Sequence, residues 1–233
     1  MKNSRIVNWM PIGLLCLILL HAVVSWIGDI YGWGLNNLFS QAGIRWTVTY
    51  FMFNISCAPF AEVMASLIAI SVLTESGIFA AFSKNASLKQ ERALSLAMLV
   101  LFIILVVIAC MVLLPNAVLL NPFGTLSDSP FSEGLLCIIC VTMVVVGNVY
   151  GLASGRFFNL TDTIKAHVSL LIPCLPCFLS MILTAILMES MTYSNLIDVP
   201  STLFSVLSWC LYLIPFAAQL LHIIKSKNKN IIT

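Results

Sequence analysis

Charged residues are scarce in this chain. Asp, Glu, Lys and Arg make up 9% of its 233 residues, against about 25% in an average soluble domain. That scarcity excludes a water-soluble globule, whose outer surface has to carry polar groups. The sequence also shows no low-complexity tract, no repeat visible by eye and no separate soluble domain. No nucleic-acid partner is expected. What is present instead is apolar: 61% of the residues are hydrophobic. The composition is that of an all-α polytopic membrane protein whose main partner is the lipid bilayer.

A spanning helix needs about 20 apolar residues. Six segments satisfy this, running from Met10 to Ile27, Cys57 to Phe82, Ala93 to Pro115, Gly134 to Ser154, Ala166 to Met188, and Ser201 to Ile224. The competing reading of the first is a signal peptide, since Lys2 and Arg5 precede it. Its apolar run is longer than the usual signal core, and no clear small-x-small cleavage site follows. The six spans form a single transmembrane domain over residues 1–233.

Basic residues are missing from alternate loops. Lys2 and Arg5 lie at the N-terminus, Lys84, Lys89 and Arg92 in the second loop, Arg156 and Lys165 in the fourth, and Lys225, Lys227 and Lys229 in the tail. With six spans, these ten of the 11 basic residues fall on one side, and Arg45 alone falls on the other. The positive-inside rule then predicts that both termini are cytoplasmic, in a cell inner (cytoplasmic) membrane. The tail "KSKNKN" is a solvated basic end that suits anionic lipid headgroups.

The first outer loop carries Leu35, Leu38, Phe39, Ala42 and Trp46 near helical spacing, with Trp26, Tyr31, Trp33 and Tyr50 around them. Aromatic rings suit the headgroup layer, which predicts an interfacial or partly re-entrant helix within residues 33–51. The outer loop "LLPNAVLLNPFGTLSDSPF" has three prolines and one glycine and reads as a turn-rich connection.

Against this apolar background the acids inside the spans carry the most information. "CAPFAEVMASLIAISVLTESGIFAAF" holds Glu62 and Glu75. At about 100° per residue, Glu62 shares a face with Ala65, Ser66, Ala69 and Ser76, small residues that let another backbone come close. Glu75 shares its face with Ile68, Ser71, Phe79 and Phe82, about 10 Å in from the cytoplasmic end; Lys84 falls on the opposite side. An unpaired charge inside a membrane costs several kcal/mol. Glu75 is therefore protonated, partnered on another helix, or beside water. A proton or substrate path is one reading; a buried structural hydrogen bond is the other. Arg156 and Lys165 are the basic residues near its depth. Glu62, Glu75, Asn148 and Glu189 are the candidate intramembrane polar groups.

Eight cysteines include "CIIC" at Cys137–Cys140 and "CLPC" at Cys174–Cys177. Two such pairs can build a four-thiolate zinc site. The span boundaries place Cys174 near mid-membrane and Cys137 near the outer surface, about 10 Å apart in depth. Free cysteine behaves as a small hydrophobe, so no metal and no redox role are expected. Pro173 and Pro176 interrupt the fifth span, while Gly147, Gly151 and Gly155 line the end of the fourth. Prolines inside spans survive where protein or water satisfies the freed backbone groups, and transporters use such broken helices at ion and substrate sites. A plain kink is the simpler outcome.

These motifs together resemble the AbgT-type p-aminobenzoyl-glutamate transporter family. "QAGIRW", with Arg45 and Trp46, then Pro59, then "TESGIFAAF", with Gly77, is similar to the family's Glu-Gly-Ile-Arg-Trp run, its Pro-Leu-Gly, and a Gly-x-Gly helix that ends in an acid before Ser-Gly. Here Ala69 and Ser71 replace the glycines. The family's acid falls at Thr74, with Glu75 one residue later. "LKQERALSL", the following apolar span and the Ser-Pro-Phe loop at Pro130 resemble the next block. "VVGNVYGLASGRF" is similar to its glycine-rich turn at Gly147, Tyr150, Gly151 and Gly155, with Val146 in place of a proline. Asp162, Lys165, Pro176 and "YSNL", which contains Asn195, follow in register; the family's Ala-Ala-Gln becomes Thr184, Ala185 and Ile186.

Two elements of the family pattern are absent. Its helical hairpins, whose Ser/Asn/Gly-rich tips form the transport site, have no counterpart between Phe82 and Leu88 or after Leu196. The resemblance implies secondary transport of p-aminobenzoyl-glutamate or related antimetabolites, without enzymatic activity. It implies no cofactor beyond a coupling proton or Na+. The missing hairpins raise two arrangements: a compact transporter whose path forms between protomers of a homo-oligomer, or a transport-incompetent scaffold acting with a partner membrane subunit. A membrane oxidoreductase built on the two cysteine pairs is a third and weaker reading.

Overall fold

The computed structural model describes residues 2–82, 87–113, 119–120, 124–196 and 201–232, of which 2–8, 201–202 and 225–232 are described as backbone only. Lys84, Pro115 and Asp198 lie outside the described residues. All regular structure among those described is helical. The helices are α1 (Lys2–Ile30), α2 (Gln41–Ser56), α3 (Phe60–Ser76), a 3-10 turn (Ile78–Phe82), α4 (Leu88–Leu113), α5 (Pro130–Ala153), α6 (Leu160–Val168), α7 (Leu171–Tyr193) and α8 (Ser201–Ile232). Among the described residues six helical stretches are long and apolar enough to cross a membrane: Trp9–Ile30, Gln41–Ser76, Leu88–Leu113, Pro130–Ala153, Leu160–Tyr193 and Leu203–Ile224. The chain is thus an all-α membrane protein with six spans.

The second span differs from its expected bounds. A helix from Cys57 to Phe82 is not what forms. Pro59 has no backbone N–H to continue α2, so α2 ends at Ser56 and α3 starts at Phe60. Gly77 then takes φ +75° and stops α3, and the chain tightens into the 3-10 turn. Phe79 and Phe82 are therefore not on an extension of α3; both are exposed on that turn. The segment expected to be helical within 33–51 begins as turns, with Gly32 and Gly34 at positive φ. Its helix runs later, from Gln41 to Ser56, capped by Ser40, whose hydroxyl accepts from Gly43 N at 3.0 Å. The fifth span starts earlier than Ala166 and is split into α6 and α7.

The chain divides into two compact units. One comprises Ala61–Ile172 and so contains α3, the 3-10 turn, α4, α5 and α6. Its core joins Ala93 and Ala97 of α4 to Val146 and Tyr150 of α5 and to Ile78 and Ala81 of the turn. The alanines are one helical turn apart and leave room for the Tyr150 ring, which is 1% exposed. The rest of α4 is largely exposed, as suits a lipid-facing helix. Gly147 of α5 faces α3: a Cβ there would sit 2.8 Å from Val72 Cγ1. Small residues at such contacts let helix backbones approach, and this close packing is what drives helix association in lipid.

The other unit comprises residues 1–60 and 173–233, where α1 packs on α8. Several of its buried polar groups pair across sequence, although His21 Nδ1 and Gln219 Oε1 have no partner among the described residues. His21 Nε2 lies 3.2 Å from Ser194 Oγ, Leu38 N donates to Ser25 Oγ at 3.1 Å, and Gln219 Nε2 donates to Pro173 O at 3.0 Å. The Asn36 side chain donates to Tyr193 O at 2.7 Å. In lipid such groups need internal partners, because no water is at hand to supply them.

Candidate functional site

The interruption of the fifth span organises the polar groups of the Ala61–Ile172 unit. Proline at 173 offers no N–H, and in a continuous helix its ring would crowd the carbonyl four residues back, at Ser169. The α-helical pattern lapses at Ser169 and Leu170. In an unbroken helix Leu170 N–H would donate to Ala166 O. Here the Ser71 hydroxyl of α3 is inserted between them: Leu170 N donates to Ser71 Oγ at 3.2 Å, and Ser71 Oγ donates to Ala166 O at 2.5 Å. Insertion of a side chain into the helical ladder is a recognised cause of a bend. Ser71 is fully buried. Its oxygen lies 3.0 Å from Ser169 Oγ, and Ser169 in turn donates to Glu75 Oε1 at 3.2 Å. Ser71 and Glu75, one turn apart on α3, thus both engage the break.

Beyond Glu75 a basin opens. Glu75, Arg156, Phe157, Asp162, Lys165, Ala166 and Ser169 line a cavity of about 260 Å³. Each wall has a local cause. Gly155, at φ +75°, ends α5, and Arg156 N and Phe157 N both return to Gly151 O at 2.9 and 3.0 Å. That closure turns Arg156 back over Gly77, where any Cβ would collide with its guanidinium. Phe157 tucks against Gly151, whose missing side chain makes the space. Asp162 is tied to the start of α6: its Oδ2 accepts from Phe158 N and Asn159 N, each at 3.3 Å. Such a box satisfies amide groups that a helix N-terminus leaves free. Lys165, Ala166 and Ser169 follow on the same face of the chain, at helical spacing.

The four acid and amide candidates do not form one site. Glu75 is in the basin. Glu62 is exposed in the first turn of α3, where a negative charge suits the helix dipole. Asn148 Nδ2 lies 3.5 Å from His167 Nε2, while His167 Nδ1 lies 2.7 Å from Thr163 O. Asn148 Oδ1 is buried without a protein partner among the described residues. Glu189 belongs to the other unit, half-buried, with its carboxylate in hydrogen-bonding reach of the Cys57 thiol. That unit has its own cavity, also about 260 Å³ and mostly apolar, lined by Trp46, Thr47, Phe51, Asn54, Ile186 and Ser190 among others.

The residues carried by the resemblance take mainly architectural positions. Ser129 caps α5 and Pro130 is its first residue, where the missing N–H costs nothing. Asn195 adopts φ +57° and closes α7, with Leu196 N returning to Met191 O at 3.2 Å. Trp46 stacks on Tyr193 with ring centroids 4.4 Å apart, and Arg45 beside it is exposed. Pro59 is buried and lies in the chain between the end of α2 and the start of α3. Of the cysteine pairs, Cys137 is exposed and Cys140 buried in one unit, and Cys174 and Cys177 are both buried in the other. The sequence placed Ser71 on the Glu75 face but missed its role at the break, and it missed Ser169, the donor to Glu75. The available signal was a serine four residues before Pro173.

Comparison with curated proteins and with solved structures returned no significant match. The sequence model of the AbgT transporter family matches residues 82–202, just over half of the chain. The match takes in α4, α5, α6 and α7, hence the glycine-lined end of α5, the basin's Arg156, Asp162 and Lys165, and the interrupted fifth span. The chain belongs to the AbgT transporter family.

Proposed function

We propose that this chain is a secondary transporter of the inner membrane that moves p-aminobenzoyl-glutamate or a related antimetabolite, with both termini cytoplasmic and a proton or Na+ as the coupling ion. Family membership supports transport rather than catalysis. The observation that carries the reading is the interrupted fifth span. Its Ala166 carbonyl and Leu170 amide are turned from each other to a hydroxyl of a neighbouring helix. Interrupted helices with backbone groups freed in this way are what transporters build ion and substrate sites from. Glu75, joined to the break through Ser169, supplies the titratable carboxylate such a path uses. Alternating access would then flex the chain at Ser169–Leu170, where a hydroxyl bridge replaces a direct helical bond.

The test is uptake by the purified chain alone in proteoliposomes, with p-aminobenzoyl-glutamate outside and an imposed proton or Na+ gradient. Accumulation that collapses with one gradient supports the reading and names the ion. A folded, correctly inserted chain that accumulates nothing under either gradient refutes it, and leaves the scaffold with a partner subunit.

A further inference from the structure

We propose that the mouth of the basin binds the headgroup of a zwitterionic phospholipid, one carrying a primary ammonium beside a phosphodiester, as in phosphatidylethanolamine. The proposal concerns the lipid around the protein and does not rest on transport.

The first argument is the charge pattern of the walls. Two cations, Arg156 and Lys165, and two carboxylates, Glu75 and Asp162, line one cavity. A simple anion entering it would face both carboxylates, and a simple cation would face both basic groups. A ligand with both signs can meet each of these groups with the opposite charge. Guanidinium groups hold phosphate oxygens by paired hydrogen bonds, and a lysine adds a mobile point charge. A primary ammonium offers three donors to the carboxylates. A trimethylated ammonium offers none, so the site favours the primary amine.

The second argument is placement. The basin forms where α3 ends at Gly77, α5 ends at Gly155 and α6 begins at Leu160, all termini of helices in membrane-spanning stretches. Such termini meet the headgroup layer, which lies outside the hydrocarbon core. The third argument is what flanks it. Phe158 and Leu160 are 80% and 77% exposed and Ile164 is 55% exposed, on the α5–α6 turn and the side of α6 beside the basin's residues. Phe79 and Phe82 are 62% and 69% exposed on the turn after Gly77. A charged cavity bordered by large exposed apolar side chains fits an amphiphile, with acyl chains along the apolar border. It fits a free hydrophilic zwitterion less well. The volume, about 260 Å³, falls below the range of about 300–1,000 Å³ that drug-sized ligands fill, and suits a headgroup.

The experiment measures thermal unfolding of the delipidated full chain in detergent, titrated with dioleoyl-phosphatidylethanolamine, -choline or -glycerol, or with soluble glycerophosphoethanolamine. The ethanolamine lipid is expected to raise the melting temperature at the lowest concentration. Lys165→Gln, at an exposed side chain, removes a charge-assisted hydrogen bond and should weaken the ethanolamine and glycerol lipids alike, by about tenfold. Glu75→Gln should weaken the ethanolamine lipid by a similar factor and leave the glycerol lipid as tight or tighter. That opposite response is one a purely structural Glu75 would not give. If Glu75→Gln fails to fold, the Lys165→Gln titration and the order of the three lipids on the wild type still decide. Equal response to choline and ethanolamine overturns the reading, as does preference for the glycerol lipid. Equal response to the soluble headgroup assigns the basin to a soluble zwitterion and refutes the lipid.

Discussion

Ser71→Ala tests the central feature of the fold, because a single oxygen bridges the broken helix. The substitution removes one donor to Ala166 O and one acceptor for Leu170 N. Both residues are buried, Ala166 at 3% and Leu170 at 6% exposure, so water cannot easily replace the hydroxyl. Side-chain hydrogen bonds inside membranes contribute about 0.6 kcal/mol each on average, which gives a floor of about 1 kcal/mol for two. A buried amide left without a partner costs about 1–3 kcal/mol. The expected loss is therefore about 2 kcal/mol. Ser95→Ala is the control: its hydroxyl donates to Glu91 O within its own exposed helical turn, so a loss near zero is expected. The assay is equilibrium unfolding in mixed micelles with increasing dodecyl sulfate. Amide exchange at Leu170 is the second readout and should speed up in Ser71→Ala alone. A Ser71→Ala protein as stable as wild type, with Leu170 equally protected, would mean that Leu170 and Ala166 close directly. The claim that the hydroxyl holds the break would then be wrong.

Reporter fusions after Ser87 and after Thr125 should give opposite signals, with the Ser87 fusion cytoplasmic; matching signals would refute the six-span, N-in arrangement. Gly147→Val should cost about 1–3 kcal/mol by overpacking α5 against Val72 and Leu73, read in the same unfolding assay; an unchanged midpoint would show that α3 and α5 are not in close contact. Metal analysis of the purified chain is expected to find no stoichiometric zinc. Zinc that disappears when Cys137, Cys140, Cys174 and Cys177 are replaced by Ser would overturn that.

How far each feature was legible depended on the range of the physics behind it. The number of spans was readable because bilayer thickness imposes one length on every apolar run, independent of neighbours. The family was readable because its glycines and prolines mark backbone positions: Gly77 and Gly155 at positive φ, Pro130 at a helix start, Asn195 closing α7. Such requirements are local, so residue type reveals them. The end of the second span was misread for a related reason. Periodicity carried Glu75's face on to Phe79 and Phe82, but Gly77 had already ended the helix.

The sequence by itself determined that this is a helical membrane protein and that an acid in an apolar stretch, Glu75, needs company; of the two prolines read as interrupting the fifth span, Pro176 lies inside the continuous α7 and the break falls before Pro173. Only the tertiary structure decided what that company is. Ser71 and Ser169 are 98 residues apart in sequence yet their oxygens are 3.0 Å apart. Arg156 reaches the basin because Gly155 reverses the chain and Gly77 leaves space for the guanidinium. Glu62, from the same helix as Glu75, ends up exposed and outside the basin. A serine reads the same in sequence whether it bonds its own helical turn, as Ser66 does with Glu62 O, or enters another helix, as Ser71 does. The difference is which backbone carbonyl comes within about 3 Å, and that is set by how helices pack, a property no single segment of the chain contains.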